Sequence, residues 1–105
     1  MTVINIMDFS EFNESVLKPG NSIVDFSASW CGPCKRIAPI YKALSEKWPL
    51  VRFYKVDIDD VEESARQYQI AAMPTFVLFK DGREVSRFEG ASAEKIEEHL
   101  KLYFN

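Results

Sequence analysis

The chain has 105 residues, 47% hydrophobic and 28% charged, enough to bury a core in one domain spanning 1–105 without a structural metal or disulfide staple. Its 16 acidic residues outnumber its 13 basic ones, and Lys35-Arg36 is the only adjacent basic pair; this balance argues against nucleic-acid binding, which needs clustered cations. No stretch approaches the length of apolar chain that a membrane helix requires.

The opening segment, Met1 to Asp8, has no basic region followed by a long apolar run. It reads neither as a secretory signal nor as a transit peptide, so the expected compartment is the cytoplasm, which is reducing. Val3-Ile4-Asn5-Ile6 reads as a short strand. Asp8-x-x-Glu11 then forms a capping box, with Met7 and Phe12 placed as a hydrophobic staple. Phe9, Phe12 and Val16 share a helical face, and Lys18-Pro19-Gly20 stops the helix.

Ile23-Val24-Asp25-Phe26 is nearly continuous in apolar character, the pattern of a strand covered on both faces. Ile37, Tyr41, Leu44 and Trp48 then form a helical stripe. Pro39 inside it predicts a kink, and Pro49 ends it. Val51 to Ile58 is a third strand. Asp60-x-x-Glu63 caps a short helix carrying Val61, Ala65 and Tyr68. Thr75 to Phe79 is a fourth strand, and Asp81-Gly82 signals a hairpin into Glu84 to Phe88. Ser92 starts a last helix whose Ile96, Leu100 and Tyr103 share a face, with His99 on its outside near the C-terminal end. The order βαβαβαββα implies parallel pairing of the early strands and an antiparallel hairpin edge, an α/β layer structure.

Cys31 and Cys34 are the only cysteines. So short a loop constrains little of the unfolded chain, so in a reducing compartment the pair reads as redox or metal chemistry. A structural zinc needs four ligands, and His99 is the only other soft donor, so no metal site is expected. Pro33 suits the first helical turn, which puts Cys31 at a helix start. There the unpaired N–H groups and the positive dipole end lower a thiol's pKa and supply thiolate. Cys34 follows on the same face and further in. Cys31 can attack a substrate disulfide, and Cys34 can then attack Cys31 and release the reduced substrate. The uncharged Gly32-Pro33 pair favours a reducing couple.

Asp25 lies mid-strand in an apolar run, where burial would raise its pKa and suit it to deprotonate Cys34. A solvent-facing acid is the alternative. Lys55 is placed either as the charge partner of Asp25 or toward solvent. Trp30 belongs to no stripe and reads as exposed for binding, whereas Trp48 reads as core. The Asp57-Ile58-Asp59-Asp60 run reads as helix capping and solvated loop.

These residues resemble the thioredoxin family over essentially the whole chain. Trp30-Cys31-Gly32-Pro33-Cys34-Lys35 is similar to the family's active site, and Val24-Asp25-Phe26 to its strand with a buried acid. Met73-Pro74-Thr75 resembles the loop whose proline is cis. Phe79-Lys80-Asp81-Gly82 and Gly90-Ala91 match in place. The resemblance implies the thioredoxin fold, a central mixed sheet with three parallel and two antiparallel strands flanked by four helices. It implies a protein-disulfide reductase with Cys31 as attacking thiol, Cys34 as resolving thiol and Asp25 as the acid–base group. The pair would cycle through a Cys31–Cys34 disulfide, with Gly32 and Pro33 tuning its potential. Trp30, Met73, Pro74, Gly90 and Ala91 would border the substrate groove. No cofactor would be bound. Electrons would come from NADPH through a thioredoxin reductase. Peroxidases, ribonucleotide reductase and methionine sulfoxide reductases would be candidate substrates of a monomeric protein. The alternatives are a disulfide oxidase or isomerase, and a binding module whose redox chemistry is idle.

Overall fold

A computed structural model describes residues 2–105. Nine elements follow in the expected order: β1 (Val3–Ile6), α1 (Phe9–Val16), β2 (Asn21–Ser27), α2 (Gly32–Lys47), β3 (Val51–Asp57), α3 (Glu62–Gln67), β4 (Thr75–Lys80), β5 (Arg83–Glu89) and α4 (Ala93–Phe104). The sheet runs β1-β3-β2-β4-β5. β1 and β2 flank β3 in parallel, and β4 and β5 extend the sheet antiparallel. This is the mixed five-stranded arrangement that the motifs imply.

The central strand β2 explains the layering. Alternate residues of a strand point to opposite faces. Ile23 joins Phe53, Phe76 and Leu78 beneath Ile37, Tyr41 and Leu44 of α2 and Ile96 and Leu100 of α4. Val24 and Phe26 join Tyr54, Val56, Val77 and Phe79 beneath Phe12 and Val16 of α1 and Val61. The sheet therefore has an apolar layer on each side. Asp25 is the exception, a carboxylate with no exposed surface in the middle of it.

Local chemistry sets the element ends. Asp8 accepts the Glu11 N–H at 2.8 Å, so the cap forms, but Glu11 reaches past it to the Met7 N–H at 2.6 Å, so the reciprocal half of the expected box does not close on Asp8. The staple does not form either: Phe12 is fully buried while Met7 is 63% exposed. Asp81 and Gly82 both take positive φ, 53° and 81°, as the two-residue turn between antiparallel strands requires. Lys80 pairs with Arg83 across that turn.

Four expectations need correction. β3 stops at Asp57, one residue early, and α3 begins with Val61 as an N-cap that makes no side-chain bond. Asp60 is held in a turn by its own N–H to the Asp57 carbonyl, and so lies before the helix instead of capping it. Tyr103 is 38% exposed near the end of α4, and Phe104 packs on the core there. His99 is not a surface decoration. Its ring stacks on Phe88 at 4.3 Å between centroids. α2 continues through Pro39. No helix of the described residues is long and apolar enough to cross a membrane.

Candidate redox site

β2 ends at Ser27, a short turn follows, and α2 begins at Gly32. Cys31 is the N-cap of α2, with the extended backbone of a cap (φ −92°, ψ 113°), and Pro33 lies in the first turn as its missing N–H allows. The Cys34 backbone N–H donates to Cys31 Sγ at 3.1 Å. Sulfur thus occupies the position in which a capping oxygen usually accepts a free N–H of the first turn. The two sulfurs are joined in a disulfide.

Cys31 is 5% exposed and Cys34 2%, and both lie in a small cluster with Ala28, flanked by Ile58 and Met73. The motif spacing predicts Cys31 in the open and Cys34 inside. In the disulfide the difference is slight. Cys31 Sγ lies 3.8 Å from the Met73 carbonyl oxygen. The Met73–Pro74 bond is cis, Pro74 is buried, and its carbonyl accepts the Gly90 N–H at 3.0 Å. That bond ties the Met73-Pro74 loop to Gly90, with Ala91 half-buried beside it. Trp30, directly before Cys31 in the chain, is 64% exposed. Its indole N–H donates to Asp59 Oδ2 at 3.0 Å.

Asp25 lies directly opposite Lys55 in the β2–β3 ladder. Neither carboxylate oxygen has a hydrogen-bond partner. Burial pushes its pKa up from 3.8 to about 7, and the Lys55 charge pulls it partly back. Lys55 is half-buried and acts on Asp25 through space, so the two placements left open by the sequence are both partly met. A cleft of about 380 Å³ opens beside the cysteines, lined by Ser27, Ser29, Cys34, Lys35, Lys55 and Asp57. Lys55 therefore borders both the surroundings of Cys34 and those of the acid.

Two acids at this site escape a reading of the sequence alone. Asp59 anchors Trp30, and Asp57 shares the cleft with Cys34 and Lys55. Strand alternation places Asp57 on the Lys55 face and could have found it. Nothing local pairs Asp59 with a tryptophan 29 positions earlier. Among the described residues, no group of three or more His, Cys, Asp or Glu side chains is placed to hold a metal ion.

The family profile described as Thioredoxin matches residues 3–102. Thioredoxin of Equus caballus is 46% identical over 94 residues, covering 88% of this chain and 90% of that one. Thioredoxin-1 of Saccharomyces cerevisiae is 43% identical over 91 residues, covering 87% and 88%. The X-ray structure of Fasciola hepatica thioredoxin superposes with a TM-score of 0.89 at 43% identity, over 98% of this chain and 99% of that one.

Proposed function

The chain belongs to the thioredoxin family of protein-disulfide reductases, and from that membership we infer how its residues divide the work. Cys31 is the nucleophile. The observation that carries this reading is the Cys34 N–H aimed at Cys31 Sγ at the start of α2. A donor and a helix N-terminus at the sulfur favour thiolate over thiol, and thiolate is the attacking form.

Attack on a substrate disulfide joins Cys31 to one substrate sulfur and expels the other as thiolate. Cys34 then loses its proton to Asp25 and attacks Cys31 Sγ. The Cys31–Cys34 bond forms, the Cys31–substrate bond breaks, and two electrons have passed to the substrate. Burial suits Asp25 to this exchange near neutral pH, since a base works best with a pKa close to the operating pH. Gly32 and Pro33 bring no charge to the sulfurs, and Lys55 moderates Asp25.

Trp30, Met73, Pro74, Gly90 and Ala91 form the substrate groove in this proposal. Electrons reach the disulfide from NADPH through a thioredoxin reductase. Disulfide-forming enzymes such as peroxidases, ribonucleotide reductase and methionine sulfoxide reductases are the substrate classes. The protein acts as one domain, 1–105, a monomer in the cytoplasm. With the reductase and NADPH, the protein reduces insulin disulfides and its Cys31→Ser variant does not. Undiminished turnover by Cys31→Ser overturns the assignment. Cys34→Ser holds substrates as mixed disulfides, and failure to accumulate them removes Cys34 from the second step.

A further inference from the structure

The edge strand β5 breaks its own alternation. Phe76, Val77 and Leu78 of β4 pair with Phe88, Arg87 and Ser86, but Phe79 pairs with Glu84, so Val85 is an extra residue. A bulge of this kind re-aims the side chains beside it. Residues three apart on a regular strand point to opposite faces. Here Arg87 stands opposite Val77 and Glu84 opposite Phe79, and Val77 and Phe79 both belong to the layer under α1. The bulge therefore brings Glu84 and Arg87 to one face. Arg87 Nε donates to Glu84 Oε2 at 2.6 Å and Nη2 to Oε1 at 2.8 Å. Two parallel bonds to one carboxylate fix the plane of the guanidinium.

That plane aims the remaining nitrogen at α3. Nη1 donates to the Tyr68 carbonyl at 2.8 Å, where α3 ends and the loop to β4 begins. The Ile70 N–H donates to the Ala65 carbonyl at 2.9 Å and the Gln69 N–H to the Arg66 carbonyl at 3.2 Å. These are the paired bonds that close a helix around a residue of positive φ. Gln69 is that residue, with φ 53°. Glycine is the usual occupant, because a side chain strains such a turn. Arg87 holds the peptide between Tyr68 and Gln69, whose rotation would undo the turn. The loop runs on to Met73 and Pro74, and its far end is fastened to Gly90 just beyond β5. Both ends of the segment are thus held from β5 and the residue after it. Within the segment, the Met73 carbonyl oxygen lies 3.8 Å from Cys31 Sγ.

We propose that Arg87 is a positioning residue for substrate docking: through the Tyr68 carbonyl it sets where the Met73-Pro74 wall of the groove stands. The inference rests on the reading of Met73 and Pro74 as that wall. Arg87 makes its bonds with Glu84 and Tyr68 and none with a cysteine. It therefore acts on the grip of an extended protein chain and leaves the exchange of sulfurs alone. A small disulfide has no chain to lay along the loop and is indifferent to it.

The test is Arg87→Met, which keeps an unbranched apolar stem and removes the donors at an exposed edge-strand position. Three quantities are read: KM and kcat for insulin, kcat/KM for a small aromatic disulfide, and amide hydrogen exchange along residues 69–73. The insulin KM of Arg87→Met rises roughly three- to tenfold, the range that one hydrogen bond supports, while kcat is unchanged. The small disulfide is reduced as by the wild type. Exchange quickens along 69–73 and keeps its wild-type rate in α2. An unchanged insulin KM overturns the proposal. So does an equal loss with both substrates, which marks a merely structural effect. Met73→Ala, run alongside, separates the two readings. A raised insulin KM in Met73→Ala with none in Arg87→Met removes Arg87 alone, whereas a wild-type KM in Met73→Ala removes the wall and the proposal with it.

Discussion

Asp25 and Lys55 face each other across the β2–β3 ladder, yet neither carboxylate oxygen has a hydrogen-bond partner. An acid held this way is ionised only reluctantly, and the cost of its ionisation falls on the folded state.

The sign of that cost follows from the direction of the shift. The folded pKa, about 7, lies above the ordinary value of 3.8. Folding therefore holds a proton that the unfolded chain has lost, and stability falls as pH rises between those two values. Below the lower value there is no penalty. Asp25→Asn removes it. By the conversion between pKa shift and free energy, urea unfolding of the disulfide form finds the variant more stable by up to about 4 kcal/mol at about pH 9, and indistinguishable from the wild type at about pH 3. A variant no more stable at high pH contradicts the burial of the charge.

Lys55→Met takes away the one charge that lowers the Asp25 pKa. Asp25 then ionises at higher pH, so resolution of the mixed disulfide at neutral pH slows. At high pH it recovers. A pH profile of the resolution step checks this, and a displacement toward lower pH contradicts a stabilising effect of Lys55 on the carboxylate.

Asp59→Ala removes the acceptor that fixes the Trp30 indole. An exposed hydrogen bond of this kind contributes about 0.5–1.5 kcal/mol. The indole is largely exposed beside Cys31, so its loss of order is felt in docking. The KM for a protein disulfide rises roughly two- to tenfold, in keeping with that energy. The alkylation rate of reduced Cys31 by a small reagent does not change. A matching fall in alkylation shows instead that Asp59 acts on the sulfur.

Gly82→Ala tests the hairpin. Gly82 has φ +81°, and a Cβ there meets the Leu17 carbonyl oxygen at 2.5 Å. Positive φ at a residue with a side chain costs about 1 kcal/mol or more, and this clash adds to it. Thermal unfolding of the variant shows a lower midpoint. Its disulfide reductase activity per folded molecule stays at the wild-type level, since the turn lies away from the cysteines.

What the sequence made legible was whatever is coded by spacing within one element. The Asp8 cap, the Asp81-Gly82 turn, the Ile37-Tyr41-Leu44 stripe and the Cys31 cap are all decided by neighbours a few residues apart. What it hid depends on register between strands. Asn5, Lys55 and Asp25 lie far apart along the chain, and only the order β1-β3-β2 sets them in one row. The Trp30–Asp59 bond and the stacking of His99 on Phe88 arise the same way, from segments the fold brings together. Asp60 misled for a different reason: its spacing to Glu63 is that of a capping box, but the chain starts its helix one residue later.

Tyr41 gives the site a property that the chemistry of its sulfurs does not. Its phenol fastens the middle of α2 to the backbones of two central strands at once. The helix that carries both cysteines is thereby riveted about two turns downstream of them. Electron transfer need not move this frame. Making and breaking the sulfur–sulfur link is confined to the first turn, so the protein can be charged and discharged repeatedly without refitting its core.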